Sequence, residues 1–307
     1  MTKKCLILLL FMMTTVGTWS EEDPCSDEMG HKGAAHTVAN NRTGTISGTP
    51  WGFERWAAQG GTGSLTYYDN GTFSATWSNA NDFLARVGFR YGDNGPGIDH
   101  NTKHYAVYYK FQKTGRASYG YIGVYGWTTS PQVEYYIVED WFSKPNEQYI
   151  GQKFGEIEVD GSKYTIHAYL RQQEASKTGN STFLQIFSVR QTPRQCGKID
   201  ISAHFKKWDE LFTGQEAMLR GSKGGGNWIL KFGRPTEVML MTEAGGNATG
   251  TFDCSYFNMV DNATPTSIVT TEGNSKADSW YNLQGYPVRL PVKKDLYIHN
   301  GQKVVVR

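Results

Sequence analysis

The sequence has few cysteines, no excess of basic charge and, after its first twenty residues, no long apolar run. Four of the 307 residues are cysteine, so the fold does not rest on a dense disulfide framework. Lys and Arg total 31 against 29 Asp and Glu, which lacks the basic surplus of nucleic-acid-binding proteins. Without a second apolar run, helical membrane domains are excluded. We expect a globular protein whose mature form has neither a nucleic-acid nor a membrane partner.

The N-terminus has the pattern of a secretory signal peptide. Lys3 and Lys4 precede the apolar run Cys5 to Met13, and small residues lead to Ser20. We predict a signal peptide over residues 1–20, too short to span a bilayer. The alternative is a buried N-terminal strand. Cleavage predicts a secreted protein, extracellular or on the cell surface, in which disulfides are permitted.

Three cysteines remain after cleavage, namely Cys25, Cys196 and Cys254. An odd number means that at least one stays unpaired or pairs between chains. Because sequence alone does not fix connectivity, the pairing and a fully reduced state both stay open.

Composition and pattern favour an all-β chain. The 35 glycines and 18 tyrosines accompany many short alternating segments, which are typical of a sandwich of antiparallel sheets. Asp69-Asn70-Gly71 is a hairpin signal between two of them. One helix is predicted, with Ser202 as its N-cap and Phe205, Trp208 and Phe212 as its core stripe, ending at Gly214.

A carboxylate lies within the most strand-like segment, Val133 to Trp141. Period-two alternation puts Glu134 on one face with Tyr136 and Val138. Burying an unpaired carboxylate costs several kcal/mol. Glu134 therefore either has a structural partner or takes part in catalysis.

Three motifs bear on this choice: YGWTTSP (125–131), VEYYIVEDW (133–141) and TFLQIFSVRQ (182–191). They resemble the central motifs of the endo-1,4-β-xylanases of glycoside hydrolase family 11, and the likeness runs from about Gly48 to about Val260. The resemblance implies a β-jelly-roll sandwich of two antiparallel sheets with one α-helix and a thumb loop over a concave cleft. It implies no cofactor and no metal.

The resemblance also implies the chemistry. Glu134 would be the nucleophile and Glu243, in MTEAGG, the acid/base of a retaining hydrolase of xylan and xylo-oligosaccharides. Retention requires the two carboxyl groups to lie about 5 to 5.5 Å apart. A non-catalytic xylan-binding jelly roll and a β-glucanase on a related sandwich are the alternatives, and the protein is expected to be a monomer.

Further site residues follow by matching family motifs position by position. Thr76 would stand beside the acid/base, where most members have Asn or Asp, and Thr there predicts a near-neutral pH optimum. The thumb would be residues 171–183, with its tip at Ala175-Ser176-Lys177; an ordinary polar loop is the alternative. The substrate-binding residues implied are Trp56, Tyr125, Tyr136, Arg171, Gln185 and Ser176.

The ends of the chain carry resemblances of their own. Residues 21–47 resemble the N-terminal arm of family members from anaerobic gut (rumen) microbes, which implies a Cys25–Cys196 disulfide. Residues 48–260 would then be the catalytic domain and 261–279 a linker. Residues 280–307 resemble a Bacteroidetes-type secretion sorting module, so the source is expected to be bacterial. A terminal hairpin docked on the sandwich is the alternative.

Overall fold

The computed structural model describes residues 23–59, 61–92 and 95–263, together with strands at 280–282, 287–288, 295–299 and 302–306. The predicted signal peptide and residues 264–279 of the predicted linker lie outside the described residues. The chain divides into two compact units, residues 1–269 and 270–307.

The first unit is built mainly of β-strands, which confirms the predicted fold class. Its helices are α1 (Glu147–Ile150) and α2 (Ile201–Phe212), with a 3-10 turn at His100–Thr102. Its strands are β1 (Ala35–Val38), β2 (Arg42–Thr45), β3 (Gly52–Ala57), β4 (Thr62–Tyr68), β5 (Phe73–Arg90), β6 (Ala106–Arg116), β7 (Tyr121–Thr129), β8 (Val133–Trp141), β9 (Gln152–Val159), β10 (Ser162–Ser176), β11 (Gly179–Arg190), β12 (Cys196–Asp200), β13 (Gln215–Leu219), β14 (Gly226–Leu230), β15 (Arg234–Pro235) and β16 (Glu237–Val260).

Two long strands, β5 and β16, pair with each other and pass from one layer of the sandwich to the other. The first part of β5 pairs with β4 and its second part with β3. The first part of β16 pairs with β7 and its second part with β6. One layer therefore has the order β1-β4-β5-β16-β6-β12, and the other has the order β2-β3-β5-β16-β7-β8-β11-β10-β9. This is the predicted jelly-roll sandwich.

Strand β8 shows how the second layer is divided between core and cleft. Val133, Tyr135 and Ile137 belong to the large apolar core of the sandwich. Tyr136 and Val138 belong to a separate apolar cluster on the opposite face. The alternation predicted from the sequence is confirmed, and Glu134 lies on the face opposite the core, with 7% of its surface exposed.

Helix α2 carries the predicted core stripe, because Phe205, Trp208 and Phe212 are all buried. Its start differs from the prediction. Asp200, not Ser202, is the N-cap, since its side chain accepts from the Ala203 N–H at 3.0 Å. The Ser202 hydroxyl instead accepts from the Tyr105 N–H at 2.9 Å, across to a neighbouring segment. The short helix α1, capped by Asn146, was not predicted.

The predicted arm contributes two edge strands. β1 pairs with β4, and β2 pairs with β3. Cys25 is disulfide-bonded to Cys196, which confirms the predicted pairing, and Cys254 is a buried free thiol. The arm is therefore attached to the sandwich both by backbone pairing and by a covalent bond.

Cys25→Ser is expected to lower the melting temperature while leaving activity at moderate temperature. The bridge closes a loop with a sequence separation of 171, and loop entropy sets an upper bound of about 5 kcal/mol on its stabilisation. Thermal unfolding measures the loss. The Cys25→Ser/Cys196→Ser double variant should unfold at the temperature of the single variant, and a large further drop would contradict the prediction.

The second unit contains a small sheet of its own. Its strands are β17 (Trp280–Asn282), β18 (Pro287–Val288), β19 (Asp295–His299) and β20 (Gln302–Val306), in the order β18-β17-β19-β20. β19 and β20 are antiparallel with His299 opposite Gln302. The predicted turn at residues 300–301 lies outside the described residues. Four strands make this unit larger than a lone terminal hairpin.

Candidate active site

A cavity of about 700 Å³ opens on the face of the second layer that is turned away from the core. Strands β3, β5, β7, β8, β11 and β16 form its floor, and the β10–β11 hairpin closes over it. Both predicted catalytic residues and all predicted substrate-binding residues line it, namely Glu134, Glu243, Trp56, Tyr125, Tyr136, Arg171, Ser176 and Gln185. Folding therefore brings together residues that are up to 187 positions apart in the sequence (243 − 56).

Three hydrogen-bond donors surround Glu134. The Tyr125 hydroxyl donates to Oε1 at 2.7 Å and the Tyr136 hydroxyl donates to the same atom at 3.0 Å. Gln185 lies opposite Glu134 in the parallel pairing of β11 with β8, and its Nε2 donates to Oε2. Donors on both oxygens are what a carboxylate ion requires. The sheet thus holds Glu134 in one orientation, with its charge directed into the cavity.

The tyrosine donors are themselves held in place. Trp127 Nε1 donates to the Tyr125 hydroxyl at 2.7 Å, and the Arg86 guanidinium lies over the Tyr125 ring, 4.7 Å from its centroid. Burial, together with the charge of Glu134, raises the pKa of Tyr125 and of Tyr136 well above the ordinary value. Both hydroxyls therefore stay protonated and keep donating to Glu134.

Glu243 has the opposite environment. Its Oε2 is shielded from solvent and has no hydrogen-bond partner among the described residues. Burial, followed by the charges of Asp82 and Glu134, raises its pKa well above the ordinary value, against the opposing effects of Tyr136 and the charge of Arg171. Glu243 therefore keeps a proton under conditions where an ordinary glutamate has lost it.

Tyr136 acts on both carboxyl groups. Its hydroxyl donates to Glu134 Oε1 at 3.0 Å, and its presence also lowers the pKa of Glu243, against the larger effect of burial. Both glutamates line the cavity together with Tyr136. One carboxylate with donors and one protonated acid thus face the same small volume.

Thr76 does not lie beside Glu243, and this part of the prediction is wrong. Thr76 is exposed on the first layer, opposite Ser64 and Thr251. Its hydroxyl is 3.2 Å from Ser64 Oγ, and it does not line the cavity. The physical reason is a bend in β5, where Asn79 has a positive φ of 50° and the strand passes from one layer to the other.

Asp82 is the residue that stands beside the acid. It lies opposite Gly245 on β16, two residues beyond Glu243, and lines the cavity. Burial, with the charge of Glu134, raises its pKa to about 6, although a hydrogen bond from Tyr119 opposes the shift. Like Glu243, it has a shielded carboxyl oxygen without a partner among the described residues. The sequence did contain a signal for Asp82, because it alternates with Leu84 and Arg86 on one face of β5.

The predicted thumb is a tight hairpin. Ser176 lies opposite Gly179, which leaves Lys177 and Thr178 as the turn, and Ala175, Ser176 and Lys177 line the cavity. The Ser176 hydroxyl donates to the Gly179 carbonyl at 2.6 Å. This bond fixes the turn that points over the cleft.

The segment between α2 and β16, for which the sequence suggested no role, braces the base of this hairpin. Its strands β13 and β14 pair with each other, and the loop between them contacts Gln172. The Gln172 N–H donates to Ser222 Oγ at 3.0 Å, and Gln172 Oε1 accepts from the backbone N–H of Lys223 at 3.0 Å and of Gly225 at 2.9 Å. Gln172 lies next to Arg171, so the brace fixes the backbone beside a cavity-lining side chain.

Within the described residues, no group of His, Cys, Asp and Glu side chains is arranged to hold a metal ion, and no helix has the length and apolar character needed to cross a bilayer.

A concave sheet with two carboxyl groups in contrasting environments, under a hairpin that closes over them, has the architecture of a glycoside hydrolase. The chain belongs to glycosyl hydrolases family 11, whose model matches residues 50–218.

Relatives and solved structures agree with this family. Endo-1,4-beta-xylanase C of Fibrobacter succinogenes is 44% identical over 264 residues, which are 82% of this chain and 39% of that protein. Endo-1,4-beta-xylanase C of Neocallimastix patriciarum is 37% identical over 230 residues, which are 73% of this chain and 46% of that protein. The chain thus spans less than half the length of either relative. The crystal structure of wild-type ENZbleach xylanase superposes with a TM-score of 0.68 at 30% identity, covering 81% of this chain and 97% of that one.

Proposed function

We propose that this chain is an endo-1,4-β-xylanase that hydrolyses internal β-1,4-xylosidic bonds of xylan with retention of configuration. The observation that carries the proposal is that Glu134, held by hydrogen-bond donors, and Glu243, whose pKa is raised by burial, line one cavity. Retention requires their carboxyl groups to lie about 5 to 5.5 Å apart, the short spacing that lets one of them attack the sugar directly. The relatives named as xylanases support xylan as the substrate.

The two environments assign the two roles. Glu134, held by three donors, attacks the anomeric carbon while Glu243 gives its proton to the leaving glycosidic oxygen. This forms a glycosyl ester on Glu134. Glu243, now ionised, takes a proton from a water molecule that attacks the same carbon, and the ester breaks with Glu134 released as the carboxylate. Two displacements at one carbon restore the original configuration.

Residues around the pair would bind the sugar chain. Trp56, 39% exposed at the cavity edge, presents a ring face on which a sugar can stack. Arg171 and Ser176 line the wall formed by the hairpin and offer hydrogen-bond donors to sugar hydroxyls. These assignments favour an extended polysaccharide over a small compact substrate, because the lining residues extend from Trp56 on β3 to Arg171 on β10.

An assay on soluble xylan tests the proposal. Wild-type protein should release reducing sugar from xylan faster than from a mixed-linkage β-glucan, and the first product seen by proton NMR should be the β-anomer. The Glu134→Ala variant is the control and should release none. Binding of xylan without release of sugar would favour the non-catalytic alternative, faster glucan cleavage would favour a β-glucanase, and an initial α-anomer would exclude retention.

We further propose that the protein is exported as a monomer, with residues 280–307 acting as a sorting-type module. The disulfide between Cys25 and Cys196 supports an oxidising compartment. A single chain supplies all of the candidate catalytic residues to one cavity, so no second copy is needed to complete it. Fractionation of a producing culture, with and without residues 280–307, tests the module.

A further inference from the structure

One end of the cleft is closed by charged side chains. Arg86 pairs with Glu54 on β3 and, through Nη1, with Glu237 Oε1 on β16 at 2.9 Å. The side chains of Arg86 and Glu237 are only 2% and 1% exposed. The floor at this end is therefore a buried ion-pair network, unlike the tyrosine-lined floor around Glu134.

The thumb hairpin is joined to this network by Lys177 at its turn. Lys177 Nζ is 3.2 Å from Glu237 Oε1, and the lysine side chain is 19% exposed. Burial of Glu54 disfavours its ionisation, but the charges of Arg86 and Lys177 outweigh burial and hold its pKa below the ordinary value. Lys177 therefore links the thumb hairpin, which covers the cleft, to the floor of the cleft. The contact between Lys177 and Glu237 is called the ionic latch.

The register of the strands places the ionic latch relative to the catalytic pair. Trp56 and Glu243 both lie opposite Leu84, and Glu54 lies opposite Arg86, two residues farther along. Glu237 is six residues from Glu243 on β16, which corresponds to roughly 20 Å along a strand. The latch thus lies beyond Trp56, at one end of the cleft rather than at its centre.

Resting on the xylanase function proposed above, we propose that Lys177 is a specificity-determining residue whose ionic latch limits how many sugar units the cleft accepts on the Trp56 side. A chain long enough to reach the latch has to displace Lys177 from Glu237 before it can extend farther. A shorter chain fits without doing so. The latch therefore selects against additional sugar units at this end and favours short products from it.

Removing the lysine charge should open the latch without unfolding the sheet. Glu237 keeps its ion pair with Arg86, so Lys177→Met leaves no buried carboxylate unpaired, which is the costly outcome in such networks. Methionine also retains an unbranched apolar stem. Lys177→Arg keeps the charge and can still reach a carboxylate.

The test compares binding of a ladder of xylo-oligosaccharides, from xylotriose to xylohexaose, by calorimetry in a Glu134→Gln background that prevents turnover. Adding Lys177→Met should tighten binding of xylohexaose about fivefold, the equivalent of roughly 1 kcal/mol, because the sugar chain no longer has to break an ion pair whose side chains are 19% and 1% exposed. Xylotriose should change less. Lys177→Arg should restore the original dependence on length, and Lys223→Met, which removes a lysine that contacts the thumb base at the Gln173 carbonyl, should not alter it.

Products from xylan, measured with Glu134 intact, supply the second readout. Lys177→Met should shift the products towards longer oligosaccharides than the wild type gives. If wild-type protein releases no sugar, the proposed function fails, and the calorimetric ladder still decides the latch. The latch is overturned if Lys177→Met shows the same length dependence as its parent, if affinity falls equally for all lengths, or if neither protein binds any member of the ladder.

Discussion

Replacing Glu134 by glutamine is expected to lower turnover on xylan by several orders of magnitude while the protein remains folded. The amide has nearly the same volume, and its oxygen can still accept from Tyr125 and Tyr136, which donate to the native carboxylate. It cannot form the glycosyl ester, so the chemical step loses its nucleophile. Steady-state kinetics on xylan and a thermal melt of the same sample separate loss of chemistry from loss of fold.

Glu243→Gln is the variant matched to Glu134→Gln, and the two should differ in how their activity depends on the leaving group of the substrate. It should also abolish xylan cleavage, since glutamine has no proton to give to the leaving oxygen. With an aryl xyloside whose leaving group needs no proton, the first displacement should be far less affected in Glu243→Gln than in Glu134→Gln. Equal losses on both substrates would contradict the assignment of the two roles, and near-wild-type turnover on xylan in either variant would remove that residue from the mechanism.

The position of Glu134 was predictable because its strand is short and regular. β8 has nine residues, and Val133 to Val138 pair with β11 without a shift in register, so the face of each of these side chains follows from parity. Glu243 and Gln185 are remote in sequence, and only the resemblance of their motifs connected them with Glu134. The disulfide likewise came from the resemblance, because three cysteines allow several pairings.

The neighbour of the acid was missed for a physical reason. Thr76 and Asp82 have the same parity on β5, so a regular strand would present both on one face. β5 instead runs for 18 residues through both layers, with the backbone at Asn79 in the left-handed region. Asparagine tolerates that conformation, but it gives no sequence signal that the strand bends there. Parity still separates the core face from the outer face on both sides of the bend, where Ala75, Trp77, Phe83 and Ala85 all belong to the core, but it does not tell in which layer a residue lies.

The ionic latch was equally inaccessible from sequence. Lys177 and Glu237 are sixty residues apart. Each belongs to a segment in which charged residues are common, so neither charge indicates a partner by itself. Their contact depends on a two-residue turn in the thumb and on the start of β16, neither of which the motifs specify. Long-range ion pairs follow from the packing of the layers rather than from local pattern.

Asp82→Asn is expected to move the alkaline limb of the pH–activity profile to higher pH. Burial and the charge of Glu134 raise the pKa of Asp82 to about 6, so Asp82 is protonated below that pH and ionised above it. When ionised, it adds a negative charge beside Glu243 and raises the pKa of that acid further. A higher pKa makes Glu243 a weaker donor to the leaving oxygen, so wild-type activity should decline above about pH 6.

Asparagine carries no charge and cannot compete for the proton, so in the variant the alkaline limb depends on Glu243 alone. The pKa of Glu243 falls when the Asp82 charge is lost, yet burial and Glu134 still hold it above its ordinary value.

Thr76→Asp is the matched control. Because Thr76 lies in the other layer against Ser64, a carboxylate there should leave the profile in place. Profiles of kcat/KM between about pH 3 and 9, a span that brackets the ordinary carboxyl range, provide the measurement. A wild-type maximum above pH 7, or equal profiles for wild type and Asp82→Asn, would show that Asp82 does not control the acid.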